Sequence, residues 1–290
     1  MSVSNWFETF NAKLRMDNET VETISYRYKR ITKQLNKDFW NSDSDIYHSF
    51  YVGSYGRGTE IHTSDIDMLF QLPYETYVQY NNHTGNGQSA LLQAVKNSIE
   101  NTYKSYLKAD GQVVKIDFTD GINFELVPAF LNNDGSYTFP DSNDGGSWRI
   151  TNPKPEIDEM TSANNKWNRN LKRLCRMARA WKERWSVPMG GLLIDTLAYN
   201  FLKDYQYKDK SYTYYDWMSR DFFEYLKNQK SDQEYWLAVG SNQKVYSKGD
   251  FTYKALRCYN ISLEAIQKEK DYPTTAKSKW REIYGTKFPE

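Results

Sequence analysis

Between residues 21 and 39, Val21, Ile24, Tyr28, Ile31 and Leu35 recur every three or four positions, which predicts an amphipathic helix. The pattern then shortens. Residues 42–58, SDSDIYHSFYVGSYGRG, predict a short strand and a glycine-bearing turn. In SDIDMLFQL (64–72), Asp65, Asp67 and Leu69 alternate with Ile66, Met68 and Phe70, the period of a half-buried strand. A loop is expected at 81–90. A second helix is expected at 91–107, with Leu92, Val95, Ile99, Tyr103 and Tyr106 along one side. Residues 112–131 form two β-rich runs around Asp120-Gly121 and predict a hairpin. The turn-rich stretch 132–148 is expected to end the sheet.

Beyond residue 150 the period is helical. Leu171, Leu174, Ala178, Trp181 and Trp185 mark the apolar stripe of one long helix over 162–185. Further helices are expected at 192–205, 216–228 and 251–270. No strand pattern of similar strength follows, so the chain divides into an α/β part, residues 1–150, and a helical part, residues 151–290. No internal repeat interrupts this plan.

Composition narrows the picture only a little. A chain of 290 residues can bury one large core or two smaller ones. The net charge of +1 gives no global field to draw in a long nucleic acid, so any nucleotide-binding surface must be local. The two cysteines, Cys175 and Cys258, form no CxxC pair and suggest neither a disulfide framework nor a zinc site. No signal-peptide core and no membrane-length apolar run is visible, so a cytoplasmic protein without membrane contact is expected.

The candidate chemistry lies in VGSYGRGTEIHTSDIDMLF (52–70). Residues two apart on a strand share a face, so Asp65 and Asp67 point together. An Asp-x-Asp pair alone reads more readily as two solvated residues of a half-exposed strand. Here it follows Gly53-Ser54 by about ten positions. Two carboxylates so placed repel unless a hard cation such as Mg²⁺ joins them. Glycine allows close backbone approach to a polyphosphate, and the serine adds a hydroxyl donor.

This spacing is similar to the signature of the DNA polymerase β-like nucleotidyltransferase superfamily. GSYGRGTEIHTSDIDMLF, DGINFELVPAF, YTFPD…GGSWRITNP and RMARAWK more narrowly resemble the bacterial CD-NTases, the cGAS/DncV-like nucleotidyltransferases of CBASS anti-phage defence. The resemblance implies an α+β fold of two lobes. A mixed, twisted β-sheet core would carry the carboxylates, and a C-terminal helical lobe would close the nucleotide cleft. It implies an enzyme joining NTPs into a cyclic di- or oligonucleotide second messenger. Two Mg²⁺ ions, or Mn²⁺, would serve as cofactor. A separately encoded effector protein would respond to the product, and a regulatory partner could control synthesis.

The resemblance also assigns residues. Asp65 and Asp67 would be metal ligands and catalytic. The third carboxylate falls at Glu125, just before Leu126-Val127-Pro128, where relatives usually carry Asp. Asp117 is its rival. A two-residue turn at Asp120-Gly121 would set Asp117 opposite Phe124, on the other face from Glu125. Gly53 and Ser54 would hold the triphosphate, with Arg57 and Thr59 in support. Residues 166–185 carry eight Lys or Arg and one acid, Glu183. There Arg179, two residues before Trp181, matches the family's triphosphate-binding position, and Lys182 is a weaker candidate. The serine that often follows is replaced by Gly190-Gly191. The three histidines make no metal pattern, and His62 is not assigned a catalytic role. Two other readings stay open: a nucleotidyltransferase acting on RNA or protein, and a nucleotide-binding pseudoenzyme.

Overall fold

The structure, a computed structural model, describes residues 2–61 and 65–290. It divides into two compact units, one of residues 16–56 and 62–153, the other of 1–15, 57–61 and 154–290. One boundary between the units falls between residues 153 and 154. The N-terminus crosses it, because α1 (Val3–Lys13) packs in the helical unit. The sequence explains this. Trp6, Phe7 and Phe10 form one apolar face, and Phe7 meets Trp280 edge-on while Phe10 lies against Tyr284. Burying each such ring is worth about 1.5–3 kcal/mol.

The sheet unit begins with α2 (Asn18–Trp40). Asp17 caps it by accepting from the Thr20 amide, and Asn41 ends it in a left-handed conformation. Its buried face is Ile24, Tyr28, Ile31 and Leu35, whereas Val21 is exposed. Then come β1 (Ser49–Tyr51), the short α3 (Gly53–Arg57), β2 (Asp65–Gln71), α4 (Tyr74–Asn81) and α5 (Gly87–Glu100). The sheet continues with β3 (Tyr106–Asp110), β4 (Val113–Asp117), β5 (Asn123–Leu131), β6 (Tyr137–Asp141) and β7 (Ser147–Thr151). Among the described residues the strand order is β1-β2-β5-β4-β3, with β6 pairing β5 and β7 pairing β6. The β2–β5 pair is parallel and the others are antiparallel. The sheet is therefore mixed, as expected of the α+β class.

Several elements differ from the pattern-based expectation. The helix expected to reach 107 stops at Glu100, and Tyr106 and Leu107 begin β3. Two aromatics at helical spacing are equally good strand residues. The stretch 132–148 does not end the sheet, since it supplies β6 and the start of β7. The long helix over 162–185 is two helices, α6 (Pro153–Lys166) and α7 (Asn170–Trp185). Asn168 and Arg169 adopt positive φ between them, which no continuous helix allows. The Asn170 amide holds the new direction by donating to the carbonyls of Lys208 and Lys210 at 2.9 and 2.8 Å.

The helical unit continues with α8 (Gly191–Asp204), α9 (Tyr215–Lys227), a small hairpin of β8 (Tyr235–Leu237) and β9 (Lys244–Tyr246), α10 (Thr252–Lys268) and α11 (Pro273–Tyr284). Its core gathers Leu171, Leu174, Ala178 and Trp181 from α7 with residues of all its other helices. Among the described residues no helix is long and apolar enough to cross a membrane.

Candidate active site

Strands β2 and β5 run parallel in a register that sets Asp65 beside Asn123 and Asp67 beside Glu125. Paired residues in a sheet share a face, so all three predicted carboxylates emerge from one side. The other side carries Ile66, Met68, Phe70, Phe124 and Leu126, all buried in the core against α2 and α5. That burial fixes the register, because a one-residue slip would drive the carboxylates into the core. Asp65 is exposed, and Asp67 and Glu125 are half-buried.

The Gly-Ser turn meets this pair directly. The Val52 amide donates to the Asp67 carbonyl at 3.0 Å, and the Gly56 amide donates to the Val52 carbonyl at 2.9 Å. Gly53 has φ +60°, and a Cβ built on it would collide with the Asp67 carboxylate. Glycine is thus required here for both conformation and space. Ser54 follows, half-buried. His62 lies outside the described residues.

The hairpin register corrects one expectation. Lys115 pairs with Glu125 and Ile116 with Phe124, so the loop is longer than two residues and the register shifts by one. Asp117 therefore lies on the same face as Glu125. The Phe118 amide bonds the Asn123 side chain at 2.9 Å, and Asp120 bonds Arg27, which pulls the turn open. Glu125 remains the nearer neighbour of Asp67, because Asp117 stands one strand further away.

Glu125 has another partner. Lys115 Nζ lies 3.4 Å from Glu125 Oε1 and 3.3 Å from Asp110 Oδ2. Asp110 first, and Glu125 second, raise the Lys115 pKa. Among the described residues no three His, Cys, Asp or Glu side chains converge closely enough to hold a metal ion. The donor set still suits Mg²⁺ or Mn²⁺, with hard carboxylate oxygens on one partly solvated face. Glu125 would exchange Lys115 for the ion.

The structure does not leave Arg57 and Arg179 facing a phosphate. Arg179 closes on Asp195 with two nitrogens, Nη1 to Oδ1 at 2.6 Å and Nη2 to Oδ2 at 2.9 Å. Its Nη2 also donates to the Gly191 carbonyl at 3.1 Å. Arg57 Nε donates to Asp195 Oδ2 at 2.8 Å, and its Nη1 lies 3.5 Å from Glu156 Oε2. Thr59 Oγ1 donates to the same Asp195 oxygen at 3.0 Å. Asp195 is fully buried. Burial alone would push its pKa up, but Arg179 and Arg57 override that and hold it down to about 2.

Asp195 was not foreseen, although an acid within the apolar run Gly191–Asp204 was a readable signal. Such a residue is almost never buried without a partner. The glycine in place of the family's serine also fits, since a Cβ at Gly191 would stand 3.2 Å from Arg179 Nη2. Lys182 is half-buried and makes no ion pair among the described residues. Cys175 is a core thiol whose pKa burial raises.

Residues 1–164, more than half of the chain, match the model of the Second Messenger Oligonucleotide or Dinucleotide Synthetase domain. The chain belongs to this family. A Bacillus cereus (strain VD146) protein named "Probable cyclic nucleotide synthase" is 27% identical over 179 residues. The match covers 57% of this chain and 51% of the relative, so the chain spans about half of that relative's length.

The fold is also that of solved CD-NTases. CdnC of Escherichia coli MS115-1, solved in complex with HORMA-deltaN, superposes with a TM-score of 0.70 at 15% identity, over 98% of this chain and 96% of the other. The same protein solved with ATP gives 0.68 at 14% identity, over 99% and 98%. The Vibrio cholerae di-nucleotide cyclase DncV gives 0.64 at 13% identity, over 99% and 87%. The resemblance read from the Gly-Ser and Asp-x-Asp motifs is therefore borne out at the level of family and fold.

Proposed function

We propose that this member of the synthetase family is a nucleotidyltransferase that joins NTPs into a cyclic di- or oligonucleotide and releases pyrophosphate. The observation that carries this reading is the side-by-side placement of Asp67 and Glu125, with Asp65 on the same face and Gly53 against Asp67. Asp65, Asp67 and Glu125 would hold Mg²⁺ or Mn²⁺, which supplies charge neutralisation and a more acidic hydroxyl nucleophile when bound.

The chain's own groups perform the rest. The backbone at Gly53 and the Ser54 hydroxyl orient the donor triphosphate. Lys182 is the remaining phosphate candidate on α7, because Arg57 and Arg179 are committed to Asp195. A carboxylate of the set takes the proton from the acceptor's ribose hydroxyl. That oxygen bonds to the α-phosphorus of the donor as the bond to pyrophosphate breaks. A second such transfer closes the ring. Arg57, Thr59 and Arg179 act at a distance, by anchoring the segment that follows the Gly-Ser turn.

Family membership supports a cytoplasmic role in anti-phage signalling, with a separately encoded effector reading the product. The likeness to a CdnC solved with HORMA-deltaN supports a regulatory protein partner.

The test is an NTP panel. The full chain is incubated with labelled ATP, GTP, CTP and UTP, singly and mixed, with Mg²⁺ or Mn²⁺. A phosphatase-resistant product, absent with Asp65→Asn/Asp67→Asn, is expected. Substantial synthesis by the folded double variant would overturn the assignment. A second reading, a nucleotide-binding pseudoenzyme, is favoured by the Glu125–Lys115 contact. It predicts NTP binding without product under every condition, including with Glu125→Asp.

A further inference from the structure

The helical unit holds a cavity of about 410 Å³ that the proposed reaction does not use. Arg15, Arg169, Lys172, Arg173, Arg176 and Tyr212 line it, and Glu8 is the one acid among its described lining residues. None of the five cations makes an ion pair among the described residues; their hydrogen-bond partners there are neutral. Lys172 Nζ donates to Thr161 Oγ1 at 3.2 Å, and Arg176 Nη2 to the Gly58 carbonyl at 2.8 Å. Arg173 donates to the Asn168 carbonyl at 3.2 Å and covers the Tyr212 ring at 4.7 Å. Among the described residues, Arg176 Nε is buried without a hydrogen-bond partner.

Crowding cations away from water without counter-charge is costly. The cost is visible at two of them. Burial first, then repulsion from Arg176, lowers the Lys172 pKa, and burial lowers that of Arg176. Glu60 is the acid that acts on both Lys172 and Arg176, but among the described residues it forms no ion pair with either; its Oε2 is buried without a hydrogen-bond partner there, and burial raises its pKa against the pull of those cations. One such acid offsets only part of the charge of five cations. The other buried arginines of this unit, Arg57 and Arg179, are fully paired. The charge in the cavity is thus specific to it.

We propose that this cavity, lined by residues of the helical unit, is a binding site for a compact polyphosphorylated metabolite. Arginine forks and a lysine converge there as they do on phosphate oxygens. The cations span about two helical turns, from Arg169 to Arg176, roughly 10 Å. That spread suits several linked phosphates better than one. The volume is that of a small-molecule site, where a nucleic acid would need an open surface. The lining residues belong to α1, the segment after it, α6, the α6–α7 junction, α7 and Tyr212, and none carries a proposed catalytic group. Lys172 and Arg176 both lie against Gly58, which directly follows α3 in the chain. Occupancy would therefore redirect side chains that now brace the end of the Gly-Ser segment.

Inorganic tripolyphosphate is the probe. The full chain is titrated calorimetrically at physiological ionic strength with EDTA present. Saturable one-to-one binding is expected, weakened about tenfold or more by Arg15→Glu/Arg169→Glu, given the usual strength of charge-assisted hydrogen bonds. Both positions are exposed, so the variant should fold, and Arg15→Lys/Arg169→Lys should keep most of the affinity. Binding should persist in Asp65→Asn/Asp67→Asn. It should also persist if the NTP panel yields no product, which separates the two proposals. Four results would overturn the site: no saturable binding; equal affinity in the charge-reversed variant; sulfate competing as well as tripolyphosphate; or a nucleic acid duplex displacing it.

Discussion

Arg179 and Asp195 form a two-pronged ion pair in the core of the helical unit, with contacts of 2.6 and 2.9 Å. Arg57 and Thr59 join the same carboxylate. A basic residue that motif comparison assigns to phosphate is here an internal strut. Asp195→Ala should therefore act on stability before it acts on nucleotide affinity. It strands two buried guanidinium groups, and breaking a buried pair typically costs about 3–5 kcal/mol. Chemical denaturation should show that loss. Replacing Arg179 and Asp195 together with apolar residues should restore part of it. A large fall in nucleotide affinity with unchanged stability would instead make Arg179 a ligand-binding residue.

Gly53 gives a sharper test of the turn. Alanine at φ +60° costs about 1–2 kcal/mol, and its methyl group runs into the Asp67 carboxylate. Gly53→Ala should leave the helical unit folded while displacing Asp67 from its place beside Glu125. A misplaced reacting group can cost about a hundredfold in rate. Product formation should fall by that order, with only a small change in melting temperature. Unchanged synthesis would show that the close approach of Gly53 to Asp67 is not needed.

How far the sequence revealed this arrangement depends on what set each element. The β2 strand and the shared face of Asp65 and Asp67 follow from strict alternation, and α2 follows from its apolar stripe. The register of Asp117 did not, because Asp120 bonds Arg27 from α2 and the Asn123 side chain bonds the Phe118 amide. No local turn rule contains those contacts. The break before α7 was hidden for the same reason, since Asn170 is held by carbonyls almost forty residues away. Asp195 was legible in principle, but its two arginine partners lie 16 and 138 positions away.

Lys115 is positioned to tune the metal requirement. It lies between Glu125 and Asp110, with side chains about one-third exposed on both sides of the Glu125 contact. Such a pair is weak in water, so Lys115→Met should ease the exchange of Lys115 for a cation only modestly. The Mg²⁺ concentration giving half-maximal synthesis should fall roughly two- to fivefold. Maximal rate should change less. A rise in the metal requirement would show that Lys115 helps assemble the site and does not compete with the ion.

The helical unit also carries a pH signature of its own. Asp216 on α9 is buried, and its Oδ1 has no hydrogen-bond partner among the described residues. Glu269, just after α10, accepts from Trp280 Nε1 at 3.4 Å. Burial raises both carboxyl pKa values, and Asp216 adds to the rise at Glu269, which is pushed up to about 8. The folded state then holds protons that the unfolded chain has already released. Stability from this pair is fully present below the ordinary carboxylate range and is lost as pH rises toward about 8, at no more than about 1.4 kcal/mol per pH unit per proton. Glu269→Gln should flatten that slope and raise stability on the alkaline side. Melting temperatures from pH 5 to pH 9 would test this: an equal slope in the variant would assign the pH dependence elsewhere.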